Sequence, residues 1–371
     1  MVTLSRLRLR GWKSYGAEVD LALGGTNVLI GANGAGKSNL ISFFEMLSWM
    51  TTSPGQLQEY IARHGFAEVL LHEGSHTTQC IAAGLTFETD RGVNDYEFRL
   101  AAAAGDTLVF TDERYRYTPR EAPARPAWRE LEAGQREARI VAEAERGDPT
   151  ARLIVGLLQR CKVYHFHDTS ESAGLRKQAR VGDNHYLRQN LANLAPVLLR
   201  LYEDQPRYYQ RIVELLRLVL PFFADFEFGL RNGTLGLRWR ERGSDAVYAA
   251  DQGSDGTLRI MGLVTLLLQP APDLPNLLLV DEPELGLHPY ALDVVGGLLQ
   301  DLPVQLLCAT QSPALLDHFA PEQVLVADRT WRNTALRRLS GQALADWLAD
   351  YTLSELWDKN VLGGRPARWS A

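Results

Sequence analysis

The stretch 29-LIGANGAGKSNL-40 constrains this chain more than any other. Gly31, Gly34, Gly36, Lys37 and Ser38 fit G-x-x-x-x-G-K-[ST], a pattern that chance places in about one chain in a hundred of this length. The apolar 26-TNVLI-30 before it reads as a strand, and Leu40, Phe43, Phe44 and Leu47 after it recur at helical spacing. A glycine-rich loop between a strand and a helix is built for phosphate. Glycines let backbone N–H groups approach the oxygens, the helix amino terminus favours the anion, Lys37 reaches the β and γ phosphates, and Ser38 holds Mg²⁺. Asn33, Gly34, Gly36, Lys37, Ser38 and Asn39 are the nucleotide contacts expected here.

Hydrolysis needs a second, acidic element. In 277-LLLVDEP-283 four apolar residues deliver Asp281 and Glu282 to a strand end, where Pro283 stops the strand. Asp281 is placed to hold the metal shell, and Glu282 to orient or deprotonate a water. These acids lie far downstream of Lys37, unlike the compact layout of small GTPases, and no N-K-x-D is present to read guanine. ATP is therefore the expected nucleotide.

The remaining text alternates strand and helix signals. In 4-LSRLRLRGW-12 leucines alternate with Arg6, Arg8 and Arg10, which predicts a strand with one basic face, read as a solvated edge. From Gln79 to Phe110 the alternation, with Gly and Asn-Asp breaks, predicts antiparallel hairpins. The mixed charges of Thr118 to Gly147 predict an exposed helical insertion. Asn190 to Leu220 reads as a helical lobe interrupted by Pro196, and Asn232-Gly233 as a hairpin turn. A helix over 257–268 and buried strands at 277–283 and 304–310 complete an α/β pattern with no internal repeat.

At 371 residues and 46% hydrophobic the chain can bury a large core. A net charge of -6 argues against a general nucleic-acid coat but leaves a local basic patch open. Cys80, Cys161 and Cys308 are odd in number and scattered, so neither a disulfide framework nor a zinc site is expected, and a cytoplasmic setting fits. No apolar run is long enough for a membrane anchor.

In 251-DQGSDGTLRI-260, Ser254, Asp255 and Gly256 stand before an apolar helix and upstream of the acids. As a lone feature this is a helix cap; here it completes an order of cradle, signature, Asp-Glu strand and switch strand. With 12-WKS-14, 62-ARHGFAEVLLHEG-74, 164-YHFHDTS-170, 281-DEPELGLHP-289, 309-ATQSP-313 and 346-DWLADYTLSELWDKNVLGGRP-366, the chain resembles the SMC/RecF/Rad50 branch of ABC-type ATPases. More closely, it is similar to RecF-like bacterial ATPases of abortive-infection and other antiphage systems. The resemblance implies an α/β head with a mixed β core, an antiparallel side sheet and a helical lobe. Lobe I would take 1–165 and 275–371, with the charged insertion at about 118–150, and lobe II would take 166–274.

It further implies a homodimer that sandwiches two ATP molecules, each Ser254 and Gly256 completing the partner's site while Glu284 to His288 form a loop joining the two. Gln311 stands where many ABC proteins carry a switch histidine. It can hydrogen-bond a phosphate or a water but cannot take up charge, which implies slow or regulated turnover. Arg63 matches a nucleotide-reaching arginine and equally an ordinary surface one. His167 and Asp168 match the loop between the lobes, and His165 with His167 leaves a metal reading open. The chain has no heptad coil. Only a short tail follows the switch strand, so a nuclease or toxin activity is expected from a separately encoded effector. A DNA-repair role, with Arg6, Arg8, Arg10 or 176-RKQAR-180 on a duplex, and a non-hydrolysing scaffold are the alternatives.

Overall fold

The computed structural model describes residues 2–121, 124–166 and 168–364. Its central sheet carries six strands in the order Asn333–Arg338, Val324–Thr330, Thr26–Ile30, Gln305–Thr310, Leu277–Asp281 and Cys161–His165. Neighbours run parallel except for the hairpin pair at the first edge. The inner strands are apolar runs because both faces are covered. Leu277 and Leu279 enter one core while Leu278 and Val280 enter the other, the period of two expected of a strand.

The first core lies between this sheet and an antiparallel sheet of Val19–Ala22, Thr3–Arg10, Cys80–Thr89, Gly92–Ala103, Thr107–Pro119 and Arg129–Glu130. Helix Lys37–Thr52 fills the space between them with Leu40, Phe43, Phe44 and Leu47. Gln305 ties the two sheets together, accepting from Leu4 N at 2.9 Å and donating to Leu4 O at 2.8 Å. The second core packs helices Leu194–Asp204, Pro206–Val219, Asp255–Leu267 and Pro289–Gln300 on the opposite face. The fold is thus α/β with a mixed core sheet, an antiparallel side sheet and a set of helices. Among the described residues no helix is long and apolar enough to cross a membrane.

Four expectations differ in detail. The break among the helices falls at Pro206, which starts the second helix; Pro196 sits in the first turn of its helix, where no intrahelical bond is lost. Asn94 and Asp95 lie inside the strand Gly92–Ala103, Asp95 being paired with Arg116 at 2.8 Å, and the chain turns earlier, at Asp90-Arg91. Among the described residues of Thr118 to Gly147, only Arg139–Glu145 is helical. The strand before it runs on to Pro119 because Arg114 and Arg116 find Glu97 and Asp95 on the neighbouring strand. Thr3–Arg10 is an inner strand, and its arginines are not simply solvated: Arg6 pairs with Asp20 and Arg8 with Glu97.

The helix Arg139–Glu145 has no capping side chain of its own. Its first free N–H groups donate instead to the buried Glu113, Arg139 N at 2.8 Å and Ile140 N at 3.0 Å, and Tyr96 Oη adds a third bond at 2.9 Å. Glu113→Ala leaves these buried donors unsatisfied and is expected to cost about 3 kcal/mol, read as a lower urea midpoint at unchanged slope.

Candidate nucleotide site

The glycine loop sits between Thr26–Ile30 and Lys37–Thr52, as its strand and helix flanks require. Gly34 and Gly36 take positive φ (77° and 103°), and a Cβ on Gly36 would overlap Thr334 Oγ1 and crowd Ser14 Oγ. Only glycine serves there. Lys37 Nζ folds back onto its own loop, donating to Gly31 O at 2.6 Å and Ala32 O at 3.1 Å. Burial pushes its pKa down, while Glu282, Asp281 and Glu284 pull it back up, which places all three carboxylates in the field of the ammonium. Asn33 and Ser38 are exposed at the rim, and Asn39 Nδ2 donates to Ser14 Oγ at 2.8 Å.

The loop is braced by distant residues. Tyr15 Oη donates to Gly36 O at 3.0 Å, Trp12 Nε1 to Asn39 O at 2.7 Å, Thr334 Oγ1 to Ala35 O at 2.9 Å and Arg329 Nη1 to Gly34 O at 3.1 Å. The first two come from the turn 12-WKSY-15, the last two from the hairpin at the sheet edge. Such braces hold the carbonyls away from the phosphate side and leave the N–H groups to face it.

Asp281 ends its strand 4% exposed, two strands from the cradle strand, with Gln305–Thr310 between them. Glu282 follows with φ of 50°, a left-handed turn uncommon for glutamate, and its carboxylate accepts from Gln311 Nε2. Glu284 is the residue whose role spacing did not reveal. Its Oε1 accepts from Gln311 N at 2.6 Å and Ser312 N at 3.2 Å, clamping the switch loop to the loop that follows the acids. Burial pushes its carboxyl above the usual range, against the pull of those N–H donors. The Ser38 hydroxyl and the Asp281 carboxylate are hard oxygen donors and suit Mg²⁺.

Ser254 caps the helix Asp255–Leu267, accepting from Thr257 N at 3.2 Å, and is exposed together with Asp255. The loop is held from below by Arg176, which donates to Ala250 O and bonds Asp255 at 3.0 Å. Arg259, one turn in, donates to Phe166 O at 2.8 Å and Leu285 O at 3.2 Å. Gly256 lies against the loop after the acids: a Cβ there would stand 2.7 Å from Gly286 O. Leu285 and Tyr290 beside it are 41% and 47% exposed.

The other expected residues fall elsewhere. Arg63 pairs with Glu59 and lies 5.3 Å from the Trp49 ring, and Trp49 is about 18 Å of helix rise from Lys37. His165 Nδ1 stands 4.0 Å from Asp281 Oδ2, opposite it in the sheet. Asp168 bonds Ser170 Oγ at 2.7 Å. His167 and residues 365 and 366 of the C-terminal motif lie outside the described residues, among which no group of three His, Cys, Asp or Glu could hold a metal.

A family model described as "AAA domain, putative AbiEii toxin, Type IV TA system" matches residues 26–317. The fold is similar to an SmcHead bound to the C-winged helix domain of ScpA, with a TM-score of 0.60, 14% identity, and 92% of this chain and 99% of that one covered. It is also similar to the Smc head domain with an extended coiled coil bound to the C-terminal domain of ScpA, derived from Pyrococcus furiosus. There the TM-score is 0.58 at 12% identity, over 94% of this chain and 99% of that one. No curated protein matches.

Proposed function

The chain belongs to the AAA-domain family of AbiEii type and is an SMC/RecF-like, ABC-type P-loop ATPase, and from that premise we infer that two copies close around two ATP molecules, each completing the other's site. One observation carries this reading. Arg259 of the signature helix reaches the carbonyl of Phe166, just past the edge strand Cys161–His165, which lies three strand spacings, or about 14 Å, from the cradle strand. Ser254 and Gly256 are therefore too far from their own Lys37 to share its γ-phosphate. Ser254 is exposed and Gly256 half-buried against the loop that carries the exposed Leu285, a surface suited to a second copy.

In that pair Lys37 and the loop N–H groups hold the phosphates of one copy, and Ser254 and Gly256 of the other grip the γ-phosphate. Ser38 and Asp281 would hold Mg²⁺, which neutralises charge on the phosphate oxygens. Glu282 takes a proton from the attacking water as its oxygen bonds to the γ-phosphorus and the bond to the bridging oxygen breaks, giving ADP and phosphate. Gln311, bonded to Glu282, positions that carboxylate without storing a proton, consistent with slow or regulated turnover. Closure, favoured by ATP through the trans contacts, is the switch.

The switch acts on a separately encoded effector, a nuclease or toxin, in antiphage defence. The family's description, with its toxin–antitoxin wording, supports the defence setting, while the separate effector rests on the resemblance alone. A duplex-binding role draws less support, since Arg6 and Arg8 pair within the side sheet and Arg176 lies under the signature loop.

Complementation tests the trans site. Lys37→Ala and Ser254→Arg proteins should each be inactive alone. Mixed in equal amounts they should regain about a quarter of wild-type phosphate release, because half of the pairs are mixed and each mixed pair has one intact site out of two. No recovery on mixing would mean that each chain builds its own site.

A further inference from the structure

The hairpin Val324–Thr330 and Asn333–Arg338 turns at Trp331 and Arg332. Trp331 is 81% exposed, more than any other large apolar side chain described, and has a φ of 59°. The position carries two costs: the largest apolar ring stands in water, and the backbone is left-handed, where Asn or Gly would sit more cheaply. Among the described residues the ring makes no aromatic or cation–π contact. Nothing among the described residues accounts for a tryptophan there.

Its surroundings do. Arg329 and Thr334 are paired across the hairpin, one rung from the tip, and both touch the cradle, at Gly34 O and Ala35 O. The tip is pinned by Asn333 Oδ1, which accepts from Ala17 N at 3.1 Å, and by Arg332 with Glu73 at 2.7 Å. Trp331 is thus two residues, about 7 Å of strand, beyond a direct contact with the phosphate loop. Strand order sets the side. Glu282 and Gln311 extend the strands Leu277–Asp281 and Gln305–Thr310 on one flank of the cradle strand, whereas the hairpin stands on the other. A nucleotide with its γ-phosphate toward Glu282 that runs back along the sheet edge would carry its ribose and base toward the tryptophan.

We propose that Trp331 is the base platform of this site, a nucleobase-binding residue whose indole stacks on the purine of the bound triphosphate. This rests on the nucleotide reading above and assigns the half of the ligand that the glycine loop does not hold. Stacking recognises a π face, so the platform serves purines as a class. It also uses the pinned hairpin, which spares the ordering cost of a free loop.

Calorimetric titration of wild type, Trp331→Ala and Trp331→Phe with ATP and with inorganic tripolyphosphate tests this. Trp331→Ala should weaken ATP about ten-fold or more while tripolyphosphate binds as to wild type, and Trp331→Phe should recover most of the loss. Unchanged ATP affinity in Trp331→Ala overturns the proposal, and so does an equal loss for both ligands, which would make the hairpin a mere support of the cradle. Loss of pairing with unchanged ATP affinity overturns it too, assigning the ring to the partner copy. If wild type binds neither ligand, the nucleotide reading itself fails, a result separate from all of these.

Discussion

Lys37→Ala is expected to abolish measurable ATP binding. The ammonium now held by Gly31 O and Ala32 O is the cation the loop offers to the β and γ phosphates. Losing two charge-assisted bonds costs about 3–6 kcal/mol, a hundred-fold or greater fall in affinity. Equilibrium titration with a fluorescent ATP analogue reads this directly. Folding should survive, because the helix Lys37–Thr52 keeps its left-handed Gly36 cap and its packed apolar residues Leu40, Phe43, Phe44 and Leu47. Retained affinity would remove the glycine loop from the phosphate site.

Glu282→Gln should separate binding from chemistry. The amide keeps the shape and can still bond near Gln311, but it cannot accept the proton of water. Phosphate release should fall by about 10²–10⁴, the usual worth of a general base, while ATP binds as before. On the proposed cycle, in which opening follows hydrolysis, this variant should accumulate as pairs with ATP, seen by light scattering as a doubled mass. Wild-type turnover would take Glu282 out of its role. A protein that loses turnover yet stays single with ATP would deny that nucleotide drives pairing.

How much of this was legible depended on how local each signal is. The cradle and the Asp-Glu strand end are contiguous patterns whose geometry follows from a few residues, and they stand where the sequence implied a strand-loop-helix and a buried strand. What holds them is not local. Thr334 meets Ser14 across 320 positions of chain, and Arg329 reaches Gly34 across 295; spacing carries no trace of either contact. Arg6 and Arg8 looked like a basic face because their partners, Asp20 and Glu97, belong to strands whose register a sequence does not print. Pro196 looked like a helix breaker because position within the turn, not proline itself, decides the effect. The resemblance puts Glu284 in a connecting loop, but its grip on Gln311 and Ser312 depends on a side-chain direction that no periodicity reports.

The bare approach of Gly256 to Gly286 has a mechanical corollary. With no side chain between them, the tip proposed to meet a second copy and the bend beyond the acids behave like two teeth in mesh, so displacement of one is handed to the other without slack. A single methyl group in that gap would act as a wedge, leaving every reactive atom intact while uncoupling arrival of the neighbour from the geometry of the fuel.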